Sequence, residues 1–158
     1  MFNGSGNGAT TADNRYQNTV ITNDGFWPDI NAGDFARLRG IPPAQSDERV
    51  AVALVNAMLS VNTQLTRLKT RYQQHGQTVS DESSVSLNGK SALMIQYQSA
   101  VFARAKADLL VDVATVNQKP AGDHLADRSL ESKNELLAES ERIIRNMNGK
   151  GRATVALL

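Results

Sequence analysis

The sequence predicts an all-α protein: a small helical bundle with three long helices plus short helical turns, set between extended N- and C-terminal arms. The first support is a run of Val50, Leu54, Met58, Val61, Leu65, Leu68 and Tyr72, which recur at steps of four, four, three, four, three and four, the spacing of one helix face. The second is a repeat of that pattern by Leu93, Tyr97, Ala100, Val101, Ala105, Leu109 and Val113, whose alanines suit close helix packing. A third pattern follows with Leu130, Leu136, Leu137, Ile143, Ile144 and Met147. At 158 residues the chain fits one domain, which would bury about 70% of its unfolded surface.

Residues 1–22 carry Gly4, Gly6 and Gly8 among Asn, Thr and Ser, with too little apolar surface to offset the entropy of ordering, and read as a flexible leader. Residues 23–45 form an aromatic arm. Its core is Asn23-Asp24-Gly25-Phe26-Trp27-Pro28-Asp29-Ile30, which holds the only Trp and one of four Phe. An aromatic anchor outside a helix needs a surface to dock on, so Phe26 and Trp27 either cap the open end of the bundle or also sit at a subunit boundary. Asp34 to Leu38 suits one short helical turn before Gly40, and Pro42-Pro43 then favours an extended approach.

Residues 46–148 make the bundle. Ser46 is placed as N-cap, with Asp47 and Glu48 in the first turn, of a helix running about 43 Å from Asp47 to His75 and closed by Gly76. Gln77 to Leu87 reads as a loop, and Asn88-Gly89 introduces a second helix to about Val113. Pro120-Ala121-Gly122 breaks the chain. The third helix then starts from Asp123 or Ser129 as cap and ends at Asn148-Gly149. Residues 149–158 read as an extended tail, with Val155 and Leu157 on one face, Thr154 and Ala156 on the other, and no local strand to pair with.

Seventeen Lys and Arg balance 16 Asp and Glu, a net charge of +1, so electrostatic attraction to nucleic acid or anionic membrane is not the theme. There is no Cys, which excludes disulfides, thiolate metal sites and thiol nucleophiles. Apolar runs are too short to span a bilayer and the first residues lack a signal-peptide pattern, so a soluble protein that stays where it is made is expected, with no membrane partner.

Catalytic and cofactor motifs fail on their spacing. Gly89-Lys90-Ser91 resembles the end of a phosphate-binding loop, but Ser84 stands where the first glycine is required. Glu131, Glu135 and Glu139 align at i, i+4 and i+8, yet no Glu-x-x-His occurs and Arg128, Arg142 and Arg145 lie at salt-bridge spacing from Glu131, Glu139 and Glu141. His75 and His124 have no nucleophile at a telling spacing and read as surface or capping residues. No enzyme, metal or cofactor is expected. The nucleic-acid alternative, a helical module in packaging or regulation, rests on the basic cluster Arg67, Lys69 and Arg71.

Asn23 to Ile30, the run Ala100-Val101-Phe102-Ala103-Arg104-Ala105-Lys106-Ala107-Asp108-Leu109, the end Arg152-Ala153-Thr154-Val155, and Val61-Asn62 with Leu65 together resemble the head completion (GPL) family of peduovirus-type tailed phages. The departure is Leu68, where the family tends to have Trp. The resemblance implies a structural virion protein that completes the DNA-filled head by assembling as a ring, dodecameric like the portal, on the portal vertex, giving a platform for neck and tail attachment. Implied partners are the portal protein, copies of itself, downstream neck and tail-terminator proteins and, non-specifically, packaged DNA. The implied location is the head-tail junction, with host cytoplasm during assembly. Expected interface residues are Phe26, Trp27, Pro28, Asp29 and Ile30 in the arm and Arg152, Thr154, Val155, Leu157 and Leu158 in the tail, while Glu131, Glu135 and Glu139 are a candidate lumen lining.

Overall fold

Short polar side chains, Asn31, Ser46 and Ser91, start three of the helices. In the computed structural model, which describes residues 19–81, 85–116 and 123–149, the arm opens with strand β1 (Val20–Ile21), paired antiparallel with β2 (Ile30–Asn31) so that Ile21 faces Ile30. Val20 and Ile21, expected within the leader, belong to this ladder, and Ala32 N donates to Thr19 O at 2.9 Å. Asn31 caps helix α1 (Ala32–Arg39), its Oδ1 accepting from Gly33 N at 2.7 Å and Asp34 N at 3.1 Å. That cap extends the expected single turn to two. Pro42 to Gln45 form a turn, Gln45 N donating to Pro42 O at 3.0 Å, rather than an extended run.

Ser46 Oγ accepts from Arg49 N at 3.3 Å and starts helix α2 (Asp47–Gln64), as the sequence predicts. The predicted single helix to His75 divides at Leu65, and helix α3 (Thr66–Gln74) follows. Thr63 Oγ1 donates back to Leu59 O at 2.8 Å and Thr66 Oγ1 to Thr63 O at 2.9 Å, the back-bonding that loosens a helical ladder. Leu65, Leu68 and Tyr72 stay buried through the break, so the apolar face keeps its register.

Asn88-Gly89 is a hairpin turn and not a helix introduction. Both residues have positive φ, 50° and 76°, and join strands β3 (Ser86–Leu87) and β4 (Lys90–Ser91), the primed-turn chemistry of Asn-Gly. Helix α4 (Ala92–Val116) then starts on Ser91, whose Oγ accepts from Met94 N at 3.2 Å. Helix α5 (Asp123–Met147) includes Ser129 in its interior, which removes that residue as a cap, and the chain turns at Gly149 with φ 71°.

Helix α4 lies at the centre, packed against α2 and, most extensively, against α5. Ala100, Ala103 and Ala107 are buried on it, small enough for Ser140 of α5 to donate its Oγ to Ala100 O at 3.0 Å across the contact. The described residues are thus mainly helical around one apolar core that reaches from Trp27 to Met147, with two two-stranded ladders at its margin.

Candidate functional site

The arm folds onto the body through a turn written into its own sequence. Asp24 Oδ1 accepts from Phe26 N and Trp27 N, both at 3.0 Å, while Gly25 takes φ 83° between them. Asp24 Oδ2 meets Lys69 Nζ of α3 at 2.7 Å, and that ammonium lies 5.9 Å from the Phe26 ring centroid. Partial burial pushes the Asp24 carboxyl up, but the Lys69 hydrogen bond and the Trp27 and Phe26 amides outweigh it and hold the group below its ordinary value. The turn aims Trp27 inward: its indole stacks on Tyr97 of α4 at 4.8 Å and meets Phe26 edge-on at 4.9 Å.

Asn23 and Asn62 complete the seat. Tyr97 Oη donates to Asn62 Oδ1 at 2.6 Å, Asn62 Nδ2 donates to Asn23 Oδ1 at 2.9 Å, and Asn23 Nδ2 donates to Tyr97 Oη at 2.8 Å, a closed ring of three side chains from the arm, α2 and α4. Burial raises the Tyr97 phenol well above the ordinary tyrosine value, so it stays a neutral donor. Trp27 Nε1 is buried with no acceptor among the described residues, an unsatisfied group the stack must offset.

These contacts correct part of the expected interface. Trp27 is 2% exposed and Ile30 is fully buried, both in the chain's own core, so in this conformation neither can anchor a partner. Phe26 and Pro28 are half-buried and Asp29 is exposed, its Oδ1 accepting from Asn23 N at 2.8 Å. Arg152, Thr154, Val155, Leu157 and Leu158 lie outside the described residues.

The candidate lumen carboxylates do not act as a set. Glu139 grips Arg39 at 2.8 and 3.2 Å, and Arg39 also donates to Ser99 O at 3.2 Å, joining α1, α4 and α5. The local pairing expected for Glu139 and Glu141 with α5 arginines gives way to tertiary pairs, Glu141 meeting Arg104 of α4 at 3.3 Å. Glu135 is exposed, and the side chains of Glu131, Arg128 and His124 lie outside the described residues. His75 sits at the end of α3, its Nδ1 2.8 Å from Arg71 O. Ser91 donates its Oγ to Val79 O at 2.7 Å, so the Gly-Lys-Ser motif serves the hairpin and the helix start. Lys69 is committed to Asp24, which thins the basic cluster of α3.

Among the residues the body exposes are apolar ones. Val52, Val55 and Leu59 form a stripe along α2, at 53%, 40% and 61% exposure, beside a groove of about 200 Å³ walled by Ile21, Val55, Met58 and Leu59 with Asn62 at its end. A second exposed set, Leu38 of α1 and Leu87 of the hairpin, borders a separate hollow that shares no residue with the first. Sequence reasoning missed both, although Val52, Val55 and Leu59 are themselves spaced i, i+3 and i+7.

Residues 21–158 match the family described as phage head completion protein (GPL). The chain belongs to this family. It is 38% identical over 159 residues to the probable head completion/stabilization protein of Haemophilus phage HP1 (strain HP1c1), an alignment covering 100% of both chains, and no solved structure matches it. A head completion protein has a structural role in the phage head and belongs to no enzyme class, and its family implies a place in the virion. Within this family member, the described segments that carried the resemblance, Asn23 to Ile30, Val61-Asn62 with Leu65, and Ala100 to Leu109, build the Trp27 seat and the α4 core. Among the described residues no helix is long and apolar enough to cross a membrane, and no group of three His, Asp or Glu gathers as metal ligands.

Proposed function

We propose that this head completion protein assembles as a ring on the portal vertex of the DNA-filled head, dodecameric to match the portal, and presents the platform on which neck and tail proteins attach. The observation that carries the reading is the pair of separate exposed apolar patches on one small helical body, the α2 stripe and the Leu38 and Leu87 set. A subunit with two different sticky surfaces associates head to tail, and such contacts close into rings when the rotation allows. The stripe of one subunit meets the second patch of the next. Phe26, Pro28 and Asp29 border the contact from the arm, and residues 152–158 reach toward the portal or a neighbour. Exposed Glu135 suits a polar lumen for passing DNA. The free chain is monomeric, and the portal supplies the template.

The test is Leu59→Asp, which places a carboxylate in the stripe without touching the core. The variant should keep its helical circular dichroism yet fail to form rings on portal-bearing heads in electron micrographs. Normal rings would remove the stripe from the assembly.

A further inference from the structure

The two apolar patches carry charges of opposite sign. On α2 the stripe continues to Glu48, so that Glu48, Val52, Val55 and Leu59 stand at i, i+4, i+7 and i+11 on one exposed face. Among the described residues Glu48 enters no ion pair. Asp47 and Arg49 lie about 100° round the helix on either side of it. In the second patch, Leu87 pairs directly with Lys90 in the β3–β4 ladder, which sets the ammonium beside the exposed leucine. Lys90 meets only a neutral amide, Gln98 Oε1 at 3.4 Å, whereas Arg37 on the same hollow is held by Asp34 at 2.8 Å. Lys90 is therefore the cation this patch offers to an incoming carboxylate. Shape agrees with charge. The stripe is a ridge between hollows of about 200 and 310 Å³, and Leu38 and Leu87 border a socket of about 280 Å³.

We infer that Glu48 of one subunit pairs with Lys90 of the next, and that this pair sets the register and direction of the contact between copies. Leu87 then sits over Val52, and Leu38, across the same hollow, falls toward Leu59. Val52 is about 6 Å from Glu48 along the helix axis, close to the roughly 5 Å that separates side chains paired across a ladder as Leu87 and Lys90 are. The ion pair and the first apolar contact therefore form together. Turned the other way, with Leu87 over Leu59, the contact leaves Lys90 more than about 10 Å from Glu48. At that end the nearby carboxylate, Asp24, is already held by Lys69 at 2.7 Å. Aliphatic patches alone can slide past one another, and a matched charge at one end removes that freedom. The inference rests on the head-to-tail reading above and adds its register.

The test uses the full chain on portal-bearing heads, scored for rings in electron micrographs, with helical circular dichroism as the folding control. Glu48→Lys and Lys90→Glu should each lower the fraction of heads with a ring about tenfold, because like charges then face each other. The chain carrying both substitutions should restore the rings. An equal mixture of the two single variants should restore them too, since subunits alternating around a dodecamer present a matched pair at every contact, a rescue that only pairing between copies explains. Rings untouched by the single substitutions, or lost and restored by neither rescue, would overturn the pairing. Leu59→Asp on the same heads separates the two failures. If it abolishes rings while the charge variants form them, the stripe is the interface and the register is wrong. If rings persist in all three, the head-to-tail reading falls as well.

Discussion

The indole of Trp27 lies on the ring of Tyr97 with centroids 4.8 Å apart and planes within 5° of parallel. One residue belongs to the arm and the other to the central helix, 70 positions later, so this stack is what makes the arm part of the core. The expectation that Trp27 anchors a partner gives way to a structural role.

Trp27→Ala should therefore destabilise the fold by about 3–5 kcal/mol, the range for emptying a buried aromatic site. Trp27→Phe should cost less, since it keeps a ring on Tyr97 and removes the buried N–H that has no acceptor. Chemical denaturation followed by circular dichroism measures both. Equal midpoints for wild type and Trp27→Ala would return Trp27 to the interface.

Asp24 should make the arm acid-sensitive. Its carboxyl titrates lower in the folded chain than in the unfolded one, so its contribution is complete above the ordinary carboxylate range, near pH 4, and is lost as pH falls through the lower folded value. Asp24→Asn should flatten the fall in melting temperature below about pH 4. Asp24→Ala at neutral pH should cost about 1–2 kcal/mol through loss of the capping bonds to Phe26 and Trp27. An unaltered acid profile in Asp24→Asn would contradict the assignment.

Arg39 and Glu139 should couple. Their pair is partly exposed, at 21% and 29% of the side chains, but two-pronged, and it ties α1 to α5. A double-mutant cycle with Arg39→Ala and Glu139→Ala should return about 1 kcal/mol, smaller in high salt. A coupling of zero would make the contact incidental.

How much of this was legible follows from the range of each interaction. Ser46, Gly76 and the 3.6-residue spacing act within a turn or two, and the helices fall close to where those signals put them. Leu65 keeps the apolar step intact, so the break there is silent in the pattern and depends on Thr63 and Thr66 bonding backward. Asn88-Gly89 carried a hairpin signal that the adjacent helical pattern masked. Trp27 could not be placed, because its seat is made by Tyr97, Asn62 and Lys69 from distant elements, and Glu139 found Arg39, 100 residues away, in preference to nearby Arg142. The α2 stripe was readable all along. Val52, Val55 and Leu59 were left over once the core face had been assigned.

The hairpin turn supplies a further check on that reading. Gly89 has φ 76° and open space where a Cβ would sit, so Gly89→Ala should cost about 1 kcal/mol from backbone strain alone. A neutral result in thermal melting would remove the primed turn from the account.

The central claim is that the apolar stripe of α2 joins neighbouring subunits in a ring. An electron-microscopic reconstruction of the protein bound to its portal tests this most directly. The account predicts a closed ring in which Val52, Val55 and Leu59 of each subunit are buried against the Leu38 and Leu87 surface of the next. Subunits bound to the portal without touching one another, or a ring with the stripe facing solvent, would contradict it.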